Sequence, residues 1–177
     1  EVEEWRERGT RSTIGIISNL HNAEKLSDQQ VLSLNNLLYL GFSLESRNPR
    51  INDKIRGKSF FQTIKGLEDL ISRGFNPKKA VIEATMHPDL EVKEQTIGLL
   101  VLGDKLGVGK ISINPYIGKD KTLDTDRYYE DYSKLFEGVE EVSRQIKPIE
   151  LVFFATYESP KAVNAMKNLC KKKGLDI

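Results

Sequence analysis

Glu45, Glu83 and Glu158 each stand at or just after the end of a short β-rich run, and His87 follows one of those runs closely. Carboxylates and an imidazole in such places could share a proton or hold a divalent cation. Ser18, Asn19, Ser43, Ser46, Thr85, Asn114, Tyr116, Thr156 and Tyr157 occupy equivalent positions and could donate or accept hydrogen bonds to a ligand. The segment after the second run adds Arg47, Arg50, Asn52, Asp53 and Arg56, and Arg56-Gly57-Lys58 stands before a helix start at Ser59, where an anion could sit. Plainer readings stand beside these. Exposed glutamates pair with surface cations, Ser43 and Asn114 can be caps or turn formers, and His87 before Pro88 can be a turn residue. Lys171-Lys172-Lys173 suits the last turn of a helix. Cys170 falls on an apolar helix face and reads as packed core.

The elements that must position these side chains alternate strictly. Strands are expected at Thr13–Ser18, Leu38–Leu44, Lys79–Thr85, Lys110–Asn114 and Ile149–Phe154, with a further strand beginning at Leu175. The helices between them carry their own start and stop signals. Ser27-Asp28-Gln29-Gln30 and Ser59-Phe60-Phe61-Gln62 are capping boxes, and Asp124 or Thr125 can cap a helix running to about Ile146. Ser159-Pro160 begins the last helix, which bears Val163, Met166 and Cys170, and Gly74, Gly107 and Gly174 end three of them. Residues 45–58 are polar and read as a long loop, and Glu1 to Arg11, with Trp5, reads as a helix tail or loose terminus. Repeated strand–helix units build parallel sheets, because a parallel return needs a crossover. In such sheets the working face is the carboxyl end of the strands, which is where the polar residues above fall.

Composition removes several classes of function. The 177 residues hold 27 Lys+Arg and 26 Asp+Glu, a net charge of +1, so no field draws in nucleic acid or an anionic membrane. No run approaches the roughly 20 apolar residues of a membrane span, and no signal peptide opens the sequence. One cysteine makes neither an internal disulfide nor a multi-thiolate metal site. These features point to a cytoplasmic protein, and with no shift in composition the whole of 1–177 reads as one domain.

Three pieces, in order, resemble the radical S-adenosylmethionine (radical SAM) superfamily. Ile16-Ile17-Ser18-Asn19 is similar to its third-strand segment, with Leu20 where a glycine usually stands. Leu40-Gly41-Phe42-Ser43-Leu44-Glu45-Ser46 is similar to the fourth-strand segment. Asn52-Asp53-Lys54-Ile55-Arg56-Gly57-Lys58-Ser59-Phe60, with Ile64, Leu67, Leu70 and Gly74, resembles the stretch that follows in peptide-maturing members. The likeness covers about residues 13–118.

The resemblance implies an α/β fold, with parallel strand–helix repeats forming part of a (β/α)6 partial TIM-type barrel. It makes 1–177 an incomplete barrel running from strand three to the beginning of strand eight. It also implies S-adenosylmethionine (SAM) as cofactor, with Ser43, Glu45 or Ser46 on its ribose or methionine part. Arg56 would pair with its carboxylate, and Glu83, Thr85, Asn114 and Tyr116 would surround the adenine. The family's [4Fe–4S] cluster reduces SAM to a 5′-deoxyadenosyl radical that abstracts hydrogen from a small-molecule or peptide substrate. Its CxxxCxxC motif does not occur here, so the chain is expected to be the carboxyl-side portion of a longer, iron–sulfur oxidoreductase. Two other readings stay open: a cluster-free barrel-like binding module, and an unrelated α/β enzyme that uses Glu45, Glu83 and His87 with a divalent metal.

Overall fold

Every β-rich run within residues 14–116 and 125–153 becomes a strand, and all five strands run parallel. Those residues are the ones a computed structural model of the protein describes, with 125–129 and 153 described by backbone only. The strands are β1 (Gly15–Ser18), β2 (Tyr39–Ser43), β3 (Ala80–Thr85), β4 (Lys110–Asn114) and β5 (Glu150–Phe153). Between them lie α1 (Asp28–Leu34), α2 (Pro49–Arg56), α3 (Phe60–Ser72), α4 (Val92–Leu106) and α5 (Thr125–Val142). The expected helix over 159–174, the strand from Leu175, Thr156, Tyr157, Glu158 and the amino-terminal segment lie outside the described residues.

The strand order is β1-β2-β3-β4-β5. A doubly wound sheet reverses direction at a switch point, whereas a barrel sheet proceeds one neighbour at a time. The sequential order is therefore that of a partial barrel. Register places Phe42 beside Ile82 and Ile82 beside Ile111, so one face of the sheet is a continuous apolar row. These three side chains are fully buried against Val31 of α1, Leu67 and Leu70 of α3, Leu99 of α4 and Leu135 of α5. Side chains alternate between faces, so the intervening positions fall on the other side. There Ser43 stands beside Glu83 and Glu83 beside Ser112, and one step further Thr85 stands beside Asn114. The second face is polar towards the carboxyl ends of the strands.

Local signals explain most of the helices. Around Ser27 the capping box forms as expected: Ser27 Oγ accepts from the Gln30 N–H, and Gln30 Oε1 accepts from the Ser27 N–H at 2.8 Å. Helix α1 stops at Leu34, where Asn35 joins it to the next crossover by accepting from the Asn76 N–H and donating to Gly74 O. α5 stops at Val142, four residues before the expected end.

Two expectations are corrected. The loop over 45–58 contains the helix α2, because Asn48-Pro49 is a cap followed by proline at the first helical position. Asn48 Oδ1 accepts from the Arg50 N–H at 3.0 Å. The capping box at Ser59 does not form. Its place is taken by Asp53, whose Oδ1 accepts from the N–H groups of Ser59 (3.0 Å) and Phe60 (2.8 Å). A carboxylate from the preceding helix suits the positive end of α3 better than a hydroxyl does. These bonds, with the nearby Lys58, hold the Asp53 carboxyl below its ordinary range.

Among the described residues no helix is long and apolar enough to cross a membrane.

Candidate functional site

Four of the expected site residues meet on the polar face. Ser43, Glu83, Thr85 and Asn114 line the carboxyl ends of β2, β3 and β4, each partly accessible. Tyr116 follows β4 by two residues, is 39% exposed, and meets the His87 ring edge-on with centroids 5.5 Å apart. His87 itself is a turn residue: its Nδ1 accepts from the Asp89 N–H at 3.2 Å.

Glu45, Ser46 and Arg56 have a different arrangement. Glu45 is 2% exposed. Its Oε1 accepts from Arg56 Nη1 at 2.9 Å and its Oε2 accepts from the Thr85 N–H at 2.7 Å. The Glu45 N–H donates to Oδ1 of the fully buried Asn52 at 2.9 Å. Gln95 Nε2, from α4, donates both to Glu45 O at 2.9 Å and to Thr85 O at 2.8 Å. One carboxylate thus binds the ends of β2 and β3 to α2, with α4 closing the knot. Ser46 is buried and its Oγ accepts from the Asn48 N–H, which makes it a turn former. The Arg56 side chain is 39% exposed, and its pairing with Glu45 uses Nη1.

Asn52 and Gln95 hold the site together. Asn52 was legible only as one loop residue among several. Gln95 was missed, although a signal existed: it lies on the buried stripe of α4, with Val92, Thr96 and Leu99. A polar residue within an apolar helical stripe indicates a buried partner.

Glu83 is the chemically distinctive group. Burial raises its carboxyl above the ordinary range, and the side chains of Ser112 and Asn114 on β4 offset part of that shift. Gly41 on β2 leaves the space Glu83 occupies, since a Cβ there would come within 3.3 Å of Glu83 Cγ and 3.0 Å of Ile17 Cγ1. A carboxyl with a raised folded-state pKa is best tolerated when protonated. Its favourable contribution is complete below the unfolded value near 4.5 and is lost as pH rises through the higher folded value. Glu83→Gln is therefore expected to match the parent at pH 4 and to be at least as resistant to urea at pH 7. A lower midpoint at pH 7 would contradict the burial penalty.

Among the described residues no three His, Cys, Asp or Glu side chains come together as a metal site. The metal reading that joined Glu45, Glu83 and His87 fails because Glu45 is committed to Arg56 and Thr85, and His87 to its turn. Nor do the residues present fit a [4Fe–4S] cluster, which takes several thiolates, against a single cysteine in the sequence.

No family model and no curated protein sequence matches the chain. Solved structures do. Streptococcus suis SuiB bound to S-adenosylmethionine superposes with a TM-score of 0.59 over 88% of this chain, at 16% identity. The chain shares its fold with SuiB. SuiB bound to the precursor peptide SuiA gives 0.56 over 88%, and a further crystal structure of SuiB gives 0.57 over 92%, at 16% and 14% identity. The chain spans about a third of SuiB, 33–36% of its length. The likeness is one of fold, and it agrees with the sequential parallel sheet of a partial barrel.

Proposed function

We propose that residues 1–177 form one domain of a radical SAM enzyme and bind SAM at the carboxyl ends of β2, β3 and β4. The observation that carries this reading is the convergence of Ser43, Glu83, Thr85 and Asn114 on the polar face of a SuiB-like sheet. SuiB has been solved with SAM on one hand and with a precursor peptide on the other, which favours a peptide substrate over a small molecule.

The donor set fits SAM chemically. Ser43 and Asn114 offer hydrogen bonds to ribose hydroxyls or adenine nitrogens, and the exposed ring of Tyr116 offers a stacking surface. With Nη1 turned to Glu45, the rest of the Arg56 guanidinium is the group for the methionine carboxylate. Glu45 acts through Arg56 and the Thr85 N–H, so it is a positioning residue. When bound and given an electron, SAM supplies the hydrogen-abstracting chemistry, and the protein orients it and keeps water away. The cluster that delivers the electron is not supplied by these residues.

Calorimetric titration with SAM is the direct test. Saturable binding is expected, weakened about fivefold by Ser43→Ala and by Tyr116→Ala, in line with the loss of about 1 kcal/mol for one hydrogen bond or one stacking contact. No heat of binding from a folded protein, or affinity unchanged from the parent in both variants, would overturn the reading.

A further inference from the structure

From the proposed SAM site the polar face continues towards the amino ends of the strands into a cavity of about 380 Å3. This volume lies within the range of small-molecule sites, roughly 300–1,000 Å3. Its chemistry is graded along the strands. Towards the carboxyl ends stand Glu83 and Ser112, paired in register across β3 and β4. Val152 lines the cavity beside Ser112 and Val81 beside Lys110. Towards the amino ends stand Lys78, Lys79, Lys110 and Glu150.

Ser112 is the informative residue. It is 3% exposed, and its Oγ is one of only two buried side-chain polar atoms among the described residues without a hydrogen-bond partner. It lies near enough to Glu83 to favour that carboxylate, but not in hydrogen-bonding geometry. Leaving such a hydroxyl unpaired is costly, so an unpaired one lining a cavity marks the place of a missing partner. Glu83 is likewise short of compensation for its burial. An ammonium group between the two would satisfy both. The amino end has the opposite character. Lys110 meets Glu150 at 2.9 Å and Lys79 Nζ donates to Asn35 O and Leu37 O, which leaves the positive charge of Lys78 for an anion. Ser112 and Lys110 are two residues apart on β4, so their backbones are about 6.6 Å apart at the usual 3.3 Å per residue.

We propose that this cavity binds a small amino acid of extended shape, its amine between Glu83 and Ser112 and its acid group at Lys78, with its aliphatic chain along Val81 and Val152. The cavity is separate from the carboxyl-end site except at Glu83, and the inference does not rest on the SAM reading.

Three probes of equal chain length test it by chemical-shift titration of the 177-residue protein: 5-aminopentanoate, pentanoate and pentylamine. The amino acid is expected to bind at least about tenfold more tightly than either single-ended analogue, each of which lacks one charge-assisted contact. Ser112→Ala should weaken it about fivefold or more while leaving the thermal midpoint unchanged or raised, because it removes an unpaired buried hydroxyl. Lys78→Gln, a surface change, should weaken it and abolish its advantage over pentylamine. Absence of saturable shifts around β3 and β4, equal affinity for all three probes, or unaltered affinity in Ser112→Ala would overturn the proposal. SAM titrated into the same preparation reports separately on the other site.

Discussion

Glu45→Ala is expected to lower the free energy of unfolding by about 3 kcal/mol, because it removes two hydrogen bonds to a charged group, each contributing about 1.5 kcal/mol. The side chain is almost wholly enclosed, and each of its two oxygens accepts a hydrogen bond. Truncation orphans the Thr85 N–H at the end of β3 and leaves Arg56 without its anion. The Asn52 and Gln95 contacts go to the Glu45 backbone and would persist, so the loss falls on the junction between β2, β3 and α2. Glu45→Gln keeps an acceptor for the Thr85 N–H and should recover part of the stability. Urea unfolding of the three proteins checks both steps. A loss below about 0.5 kcal/mol in Glu45→Ala would mean that the pair behaves as an ordinary surface ion pair. SAM affinity should fall in both variants if Glu45 positions Arg56, and the conservative variant should retain more of it.

The second large effect is expected at Gly66, in the middle of α3. A Cβ there would lie 2.2 Å from Leu20 O and 2.9 Å from Leu20 Cβ. The nearest obstacle is backbone, which cannot rotate aside, so Gly66→Ala must push α3 away from the segment that follows β1. Overpacking of this kind costs about 3 kcal/mol at the upper end of its usual range. The same segment is held to α3 by Thr63 Oγ1, which donates to Asn19 O at 3.2 Å. Loss of protection from hydrogen exchange should accordingly begin at residues 19–26 and in the middle of α3, with β3 and β4 least affected. An unchanged unfolding midpoint would show that the two elements can separate freely.

Leu20 shows how far a resemblance can be read. The resemblance puts a glycine at its position, and its φ is +60°, a left-handed conformation that glycine adopts without cost. A leucine there pays about 1 kcal/mol in backbone strain. Burial of its side chain to 5% exposure offsets this, since a well-buried leucine returns roughly 2 kcal/mol. The reason a leucine is tolerated there is tertiary.

The strands and most helices were legible because their signals are local. Alternating apolar runs, the Ser27 capping box and the glycines after α3 and α4 act within a few residues. Helix α2 was hidden because Asn48-Pro49 begins a turn and a helix with the same two residues, and only the contacts of Asn52 with the Glu45 N–H and of Asp53 with the start of α3 decide which. Asp53 caps α3 from six residues away, and no local rule assigns that cap to it rather than to Ser59.

The candidate site divides in the same way. By themselves, the residue types and the carboxyl-end rule brought Ser43, Glu83, Thr85, Asn114 and Tyr116 to one end of the sheet. Period-2 alternation and parallel register follow from backbone geometry, so a sequence can encode them directly. The sequence also set Glu45 and Arg56 among the ligand-binding candidates, because their charges were visible and their burial was not. Burial depends on which helix packs over a strand end. That packing encloses Glu45 beneath α2 and α4, turns Arg56 towards it, and leaves the Ser112 hydroxyl unpaired in a cavity that no spacing rule reveals.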